Sequence, residues 1–427
     1  MNPSGAPPRN DRAGAAAGTA RPPFRAAVTG IGLITAGGTT TADTWRTVLD
    51  GRPTAVADAS LDGLPVELTC RARAFDGDAV LGRRTAWRLD RCTQLALAAG
   101  RQAVTDAGLV PQEWDGPRVG VVLGTALGGI GTWEKEHRTM LDHGSGRISP
   151  LTVPMSLTNM VAAQLATDRG AGGPSLAIST ACASGATAIG IAREMLRSGA
   201  CDIVLAGGVE ACVVPSVVAA FSKSGALSRR VDDPDAASRP FDVDRDGFVI
   251  AEGAAVLVLE RPEHALARGS AVHAYVSGYG ASSDAGHETR PDPEGKAAER
   301  AVRIALADAG LGPSDIAHVN AHGTSTPLND VTEARMIRRA LGGHPVTTSV
   351  KGVTGHTLGA AGALEAAVTA LSLSHQVVPP TAGLVRQDPE VELDIVTEKP
   401  RALTMEAALS NSFGFGGQNA VLVLSKS

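Results

Sequence analysis

One cysteine and two histidines in this chain sit in settings where a thiol nucleophile and its imidazole partners are found. Cys182 lies in Ser179-Thr180-Ala181-Cys182-Ala183-Ser184-Gly185, where the apolar run Leu176-Ala177-Ile178 stops and a small-residue helical pattern begins. A thiol at a helix start meets the positive end of the macrodipole and unpaired backbone N–H groups, and both favour the ionised, nucleophilic sulfur. An unpaired cysteine on its own more often packs than reacts, so its companions decide the reading.

His322 stands in Asn320-Ala321-His322-Gly323-Thr324-Ser325-Thr326, directly after a strand pattern, which is where α/β proteins place ligand-contacting residues. The second imidazole belongs to Lys351-Gly352-Val353-Thr354-Gly355-His356-Thr357-Leu358-Gly359. Alone, Lys351 would be a solvated cation and His356 a helix cap. A glycine turn, Asn411-Ser412-Phe413-Gly414-Phe415-Gly416-Gly417-Gln418-Asn419, can present backbone N–H groups to an oxyanion, because glycine permits close approach and unusual dihedrals.

The elements that must position these residues read as α/β layers. Strand patterns at Ala26-Thr29, Val119-Leu123, Ile203-Ala206, Ala254-Leu259, Ala317-Asn320 and Ala420-Leu424 alternate with helical periodicity at Thr93-Ala107, Thr187-Arg197, Ala297-Ala309 and Gly362-Ser374. This alternation predicts largely parallel sheets.

The chain also matches itself, always in the same order. Val28-Thr29-Gly30-Ile31-Gly32 resembles Val276-Ser277-Gly278-Tyr279-Gly280, and Asp106-Ala107-Gly108-Leu109 recurs as Asp308-Ala309-Gly310-Leu311. Gly124-Thr125 recurs as Gly323-Thr324, and Val256-Leu257-Val258-Leu259 as Val421-Leu422-Val423-Leu424. The separations shrink steadily through 248, 202, 199 and 165 residues, as a duplication with insertions in its first copy would give. Such halves would sit about a pseudo-twofold axis around shared central helices, with residues 25–268 and 269–427 as the two copies. Matching Cys182 and Gly185 to His356 and Gly359, each displaced by 174 residues, would put thiol and imidazole at equivalent helix starts.

Composition narrows the function classes. The chain has 427 residues, 43% of them hydrophobic, with 50 glycines and only four tryptophans, two tyrosines and seven phenylalanines, so a large core must close by tight packing of small residues. A net charge of −5 with scattered basic residues argues against nucleic acid as a partner. Cys70, Cys92, Cys182, Cys201 and Cys212 lack metal-ligand spacing and fit a reducing cytoplasm. No apolar run spans a bilayer, and Met1 to Phe24 is expected to be a disordered tail, with neither a leader's apolar region nor a transit peptide's composition. Gly30-Ile31-Gly32-Leu33-Ile34-Thr35 fails as a dinucleotide fingerprint, because Thr35 replaces its third small residue.

The ordered set of motifs resembles the β-ketoacyl-acyl carrier protein synthases, the condensing enzymes of fatty-acid and polyketide elongation, from about Ala26 to Leu424. Ala237-Ser238-Arg239-Pro240-Phe241-Asp242 and Arg245-Asp246-Gly247-Phe248 match further segments of that family. The resemblance implies a thiolase-like fold, a duplicated αβαβα arrangement, working without metal or organic cofactor. It implies that Cys182 accepts an acyl chain from a carrier-protein thioester. His322 and His356 would promote decarboxylation of a malonyl extender and stabilise the enolate, and Lys351 would order the His356 loop with Glu365. A neutral imidazole suits that work, since its N–H can donate to the enolate without quenching it.

By the same resemblance Phe415 gates extender entry, and its N–H with that of Cys182 forms the oxyanion hole. Thr324 and Thr326 meet the pantetheine arm, Leu127 lines the acyl channel and Asp330 supports the site. An acyl carrier protein is the implied partner, with Arg83, Arg84 and Lys135 as contacts. A dimer is implied through the stretch Ser149-Ala166, either with itself or with a chain-length-factor subunit. Asn329, Gln418, Lys223 and Ser224 depart from the common pattern, which leaves a specialised polyketide or polyene pathway in contention beside fatty-acid synthesis. A non-catalytic chain-length-factor role is opposed by the presence of Cys182, His322 and His356. A coenzyme A thiolase is opposed by the lack of any cysteine beyond Cys212.

Overall fold

The computed structural model describes residues 23–427. The expected disordered tail therefore lies outside the described residues except for Pro23 and Phe24. Phe24 is held, its carbonyl accepting from Arg193 Nη2 at 2.6 Å.

The main sheet has eleven strands, numbered in chain order: β1 (Ala26–Ile34), β2 (Val119–Gly124), β3 (Ser175–Ile178), β4 (Ile203–Glu210), β5 (Gly253–Glu260), β6 (Ala274–Ser283), β7 (His318–Asn320), β8 (Val346–Thr348), β9 (Asp394–Ile395), β10 (Ala407–Gly414) and β11 (Gln418–Ser425). Their spatial order is β9-β8-β7-β10-β11-β6-β1-β5-β4-β2-β3. The order reads as two copies of one motif, β1-β5-β4-β2-β3 and β6-β11-β10-β7-β8. They join where β1 pairs antiparallel with β6, and β9 is added at one end.

The expectation of largely parallel sheets is corrected. Five ladders are parallel and five antiparallel. The sequence signal missed the second kind because β10 and β11 are joined by the short turn Phe415–Gly417, and a turn that short can only close an antiparallel pair.

Each copy lays a helix across its first strand. Helix α1 (Arg91–Asp106) covers β1, and α2 (Lys296–Ala309) covers β6. Here glycine is required by proximity. A Cβ at Gly30 or Gly32 would lie 2.1 Å from Ala103 O or 1.9 Å from Ala99 O, and at Gly278 or Gly280 it would lie 2.3 Å from Ala305 O or 2.0 Å from Ala301 O. The helix ends match too, since Asp106 Oδ2 accepts from Ile31 N at 2.9 Å and Asp308 Oδ2 from Tyr279 N at 3.0 Å. These contacts reproduce the 248- and 202-residue offsets of the sequence repeat.

Between the copies run two central helices, α3 (Ser184–Arg197) and α4 (Ala361–His375). Residues 361–373 of α4 are buried all round, which is why its pattern is apolar on every face. One core cluster surrounds this pair, and one lies on the far face of each half-sheet, giving the αβαβα layering. Among the described residues no helix is long and apolar enough to cross a membrane, and no cluster of His, Cys, Asp and Glu is arranged to hold a metal.

Candidate active site

The chain leaves β3 at Ile178, turns through Ser179–Ala183 and enters α3 at Ser184. Ser184 Oγ accepts from Thr180 N at 2.9 Å and donates to Ala181 O at 2.6 Å, so the helix start is clamped onto the turn. Ala181 takes φ +48°, a left-handed conformation disfavoured by a Cβ, and this projects Cys182 off the strand end. Cys182 is 8% exposed, and its amide donates no hydrogen bond within the described residues. The Phe415 N–H lies close enough to Cys182 Sγ to favour its anion. Gly414 makes this approach possible, since a Cβ there would lie 2.6 Å from Thr180 O and 3.1 Å from Cys182 N. Two amides therefore flank the sulfur.

Burial pushes the Cys182 thiol up to about 11, outweighing the Lys351 ammonium and the Phe415 N–H, which pull it down. Burial therefore opposes the ionised sulfur that a helix start favours. All five cysteines are buried and free of disulfides.

His322 follows β7, and its placement comes from helix α5 (Pro327–Leu341). Glu333 on that helix accepts from His322 N and Gly323 N, both at 2.8 Å, and from Asn411 Nδ2 at 3.0 Å. Asp330, also buried, accepts from Ser325 N at 3.2 Å and Phe241 N at 2.8 Å, two residues whose φ values are +68° and +67°. Arg245 fixes the next turn by donating to Thr326 O at 3.2 Å and Pro327 O at 2.8 Å.

His356 hangs from the segment between the short helix Lys351–Thr354 and α4, held by its own N–H to Val249 O at 2.8 Å. Its ring meets His322 edge to face with centroids 5.4 Å apart, and Phe248 at 5.1 Å. Phe413 packs on the other side of His322 at 5.7 Å. Lys351, 1% exposed, donates Nζ–H to His322 O at 2.5 Å and to Glu365 Oε1, and lies 3.3 Å from His322 Nδ1. An ammonium facing Nδ1 leaves the imidazole proton on Nε2. Burial, then repulsion from Lys351, holds both histidines well below the ordinary imidazole range, so both rings are neutral. Burial raises Glu365 to about 7 against the pull of Lys351.

A cavity of about 350 Å³ is lined by Cys182, His322, His356, Thr324, Thr326 and Phe415 together. Phe415 is half-exposed with its ring 6.2 Å from that of Phe221, and the hydroxyls of Thr324 and Thr326 are 2.9 Å apart. Ser224 and Asn329, two departures from the family pattern, line this cavity, whereas Lys223 is exposed and Gln418 begins β11. Leu127 is not brought into it. Its amide is pinned to Glu210 at 3.3 Å on the loop after β2, and its side chain is half-exposed. Arg83, Arg84 and Lys135 are exposed and outside it.

Sequence reasoning missed Glu333, Glu210, Phe248 and Phe413. Glu333 had a signal, lying three residues after Asp330 on the same helix face. Phe248 sat inside a family segment without an assigned role.

The offset between the two turns also needs correction. Gly185 packs on Ala363 N, 2.7 Å from its would-be Cβ, and Gly362 on Ala186 N at 2.8 Å, a reciprocal pair related by 177 residues. Helix starts Ser184 and Ala361 differ by the same number, as do the strained Ala181 and Leu358, at φ +48° and +44°. The counterpart of Cys182 is thus Gly359, and His356 corresponds to Ser179. A shared spacing to glycine had suggested 174.

Comparison with known proteins identifies the family. The family model described as Beta-ketoacyl synthase, N-terminal domain, matches residues 24–265, and Beta-ketoacyl synthase, C-terminal domain, matches residues 273–385. The chain is 44% identical over 413 residues to 3-oxoacyl-[acyl-carrier-protein] synthase 2 of Synechocystis sp., covering 94% of this chain and 98% of that one. Among solved structures it resembles the ishigamide ketosynthase/chain length factor with TM-score 0.89 and 33% identity, over 95% of this chain and 100% of that one. It also resembles a type II polyketide synthase ketosynthase solved with its acyl-carrier protein, with TM-score 0.88 and 32% identity over the same shares. The fold and site define a condensing enzyme of the acyltransferase class with the thiolase-like architecture. This chain belongs to the beta-ketoacyl synthase family.

Proposed function

We propose that the chain joins an acyl group carried on Cys182 to a malonyl unit on acyl carrier protein, releasing carbon dioxide and a β-ketoacyl carrier protein. The single observation carrying this reading is that one cavity holds the Cys182 thiol and two neutral imidazoles 5.4 Å apart. In the first step the sulfur forms a bond to the acyl carbonyl carbon and the carrier's C–S bond breaks, the thiol proton ending on the released pantetheine thiol. In the second, the bond from the malonyl α carbon to its carboxylate breaks. The electron pair becomes an enolate whose oxygen receives N–H from His322 and His356. That carbon attacks the acyl carbonyl, the N–H groups of Cys182 and Phe415 take the oxyanion charge, and the Cys182 thiolate leaves and takes up a proton from solvent, restoring the thiol. Each step balances without a cofactor.

Lys351, expected to order the His356 loop, instead holds the His322 ring and its tautomer together with Glu365. Asp330 supports the following turn, Thr324 and Thr326 receive the pantetheine arm, and Phe415 gates the entrance. The copies divide at 268/269, and the setting is cytoplasmic. The carrier docks on cations such as Arg83, Arg84 and Lys135. Support for a dimer comes from β3, an open sheet edge with Leu176 41% exposed, and from Val153 and Leu157, 58% and 48% exposed within Ser149–Ala166. Relatives whose structures include a chain-length factor make a heterodimer the first form to test. Purified protein is incubated with acyl- and malonyl-carrier proteins, with and without a candidate partner subunit. A product mass for β-ketoacyl carrier protein is expected, and its absence in both arms contradicts the reading.

A further inference from the structure

Glu210 ends β4 fully buried, and no motif explains it. Its Oε2 accepts from Ala126 N at 2.7 Å and Gly359 N at 3.2 Å, and its Oε1 from Leu127 N and Thr125 Oγ1, both at 3.3 Å. Four donors converge on one carboxylate, and none of them is a cation. A proton on either oxygen would face a donor, so this cradle selects the anion. Burial works the other way and outweighs these donors, leaving the carboxyl raised to about 7.

One of these donors is the amide of Gly359, the duplicate of the Cys182 amide. In the first copy that amide is free beside the sulfur, and the Phe415 N–H adds a second donor. In the second copy the equivalent amide is capped by Glu210. Only glycine fits there, since a Cβ at Gly359 would lie 2.6 Å from Glu210 Oε2 and 2.4 Å from Ala126 N. Gly359 follows Leu358, which lines the cavity, and lies three residues beyond His356.

We propose that the Glu210 carboxyl group fills the second copy's counterpart of the oxyanion hole, and that this buried side chain is the positioning residue for the His356–Gly359 turn. It ties a first-copy loop, Thr125–Leu127, to a second-copy turn, so the imidazole of one copy keeps its place relative to the thiol of the other. The inference rests on the functional reading above, because decarboxylation is the reaction His356 would serve.

The test compares wild-type protein with Glu210→Gln, whose amide nitrogen would oppose backbone N–H groups. Three quantities are measured: kcat and KM for decarboxylation of malonyl carrier protein, and the rate of Cys182 alkylation by iodoacetamide. A displaced imidazole should lower kcat about tenfold or more, with KM within about twofold of wild type and alkylation no slower, since loss of the Glu210 charge favours the Cys182 thiolate. A folded variant with wild-type kcat overturns the proposal, as does an equal fall in alkylation, which would mark general loosening of the cavity. Should Glu210→Gln fail to fold, Thr125→Val, which removes one donor, decides instead: about a twofold loss of kcat with unchanged alkylation supports positioning, and no loss overturns it. A wild-type chain that decarboxylates nothing overturns the functional reading and this inference together. Wild-type activity with an unaffected variant overturns this inference alone.

Discussion

The turn at Cys182 and the turn at Gly359 share one backbone and do opposite work. Each follows a strained residue, Ala181 or Leu358, each precedes a central helix, and each helix packs a glycine on its twin. The first turn carries the thiol proposed to react and an amide that donates no hydrogen bond within the described residues. The second carries no side chain, and its amide is closed by Glu210. The two copies place two strained loops beside one axis, and on the proposals above one holds the substrate while the other holds the scaffold. His356 and Lys351 lie upstream of the closed turn, so the second copy contributes the groups that need rigidity.

The comparison can be broken at several points. The largest effect is expected from Cys182→Ala, which should cut condensation by about a thousandfold or more, as removal of a covalent nucleophile does. Product mass spectrometry checks it, and near-normal condensation would remove the first turn's role. Next, His322→Ala should lower malonyl decarboxylation about a hundredfold by deleting a donor to the enolate, read as carbon dioxide release. Lys351→Ala leaves Glu365 buried without its cation and is expected to destabilise the fold by about 3–5 kcal/mol, measured by denaturant unfolding.

Gly359→Ala sharpens the contrast directly, because its new methyl meets Glu210 and the Ala126 amide. A loss of about 1–3 kcal/mol is expected from overpacking, seen as a lower Tm. The smallest effect concerns the sulfur itself. With the thiol near 11, its ionised fraction grows with pH below that value. Alkylation of Cys182 should therefore climb steadily between pH 7 and 9 without levelling, whereas a plateau near neutrality would mean the resting sulfur is already a thiolate.

Much of this was readable in the chain. The strand and helix patterns and the four repeated strings stand where sequence periodicity put them, and Cys182, His322 and His356 line one cavity with Lys351 beside the His322 ring. The register of the duplication was misread at the turns because residue identity favoured one alignment while backbone conformation, invisible in letters, follows another. The burial that opposes ionisation of the thiol is invisible in sequence, whereas the helix start that favours it can be read there. Leu127 lies outside the cavity because a loop's direction depends on the partner of its amides, here Glu210. That glutamate carried no signal, since a lone acidic residue at the end of an apolar strand reads the same whether it meets solvent or four buried donors.

The most direct measurement of the central claim, that sulfur and imidazoles act on one thioester, is peptide-resolved mass spectrometry of His322→Ala after incubation with acyl- and then malonyl-carrier protein. The acyl group is expected to accumulate on the Cys182 peptide while β-ketoacyl product falls away. Acylation at another residue, or wild-type product from this variant, would contradict the account.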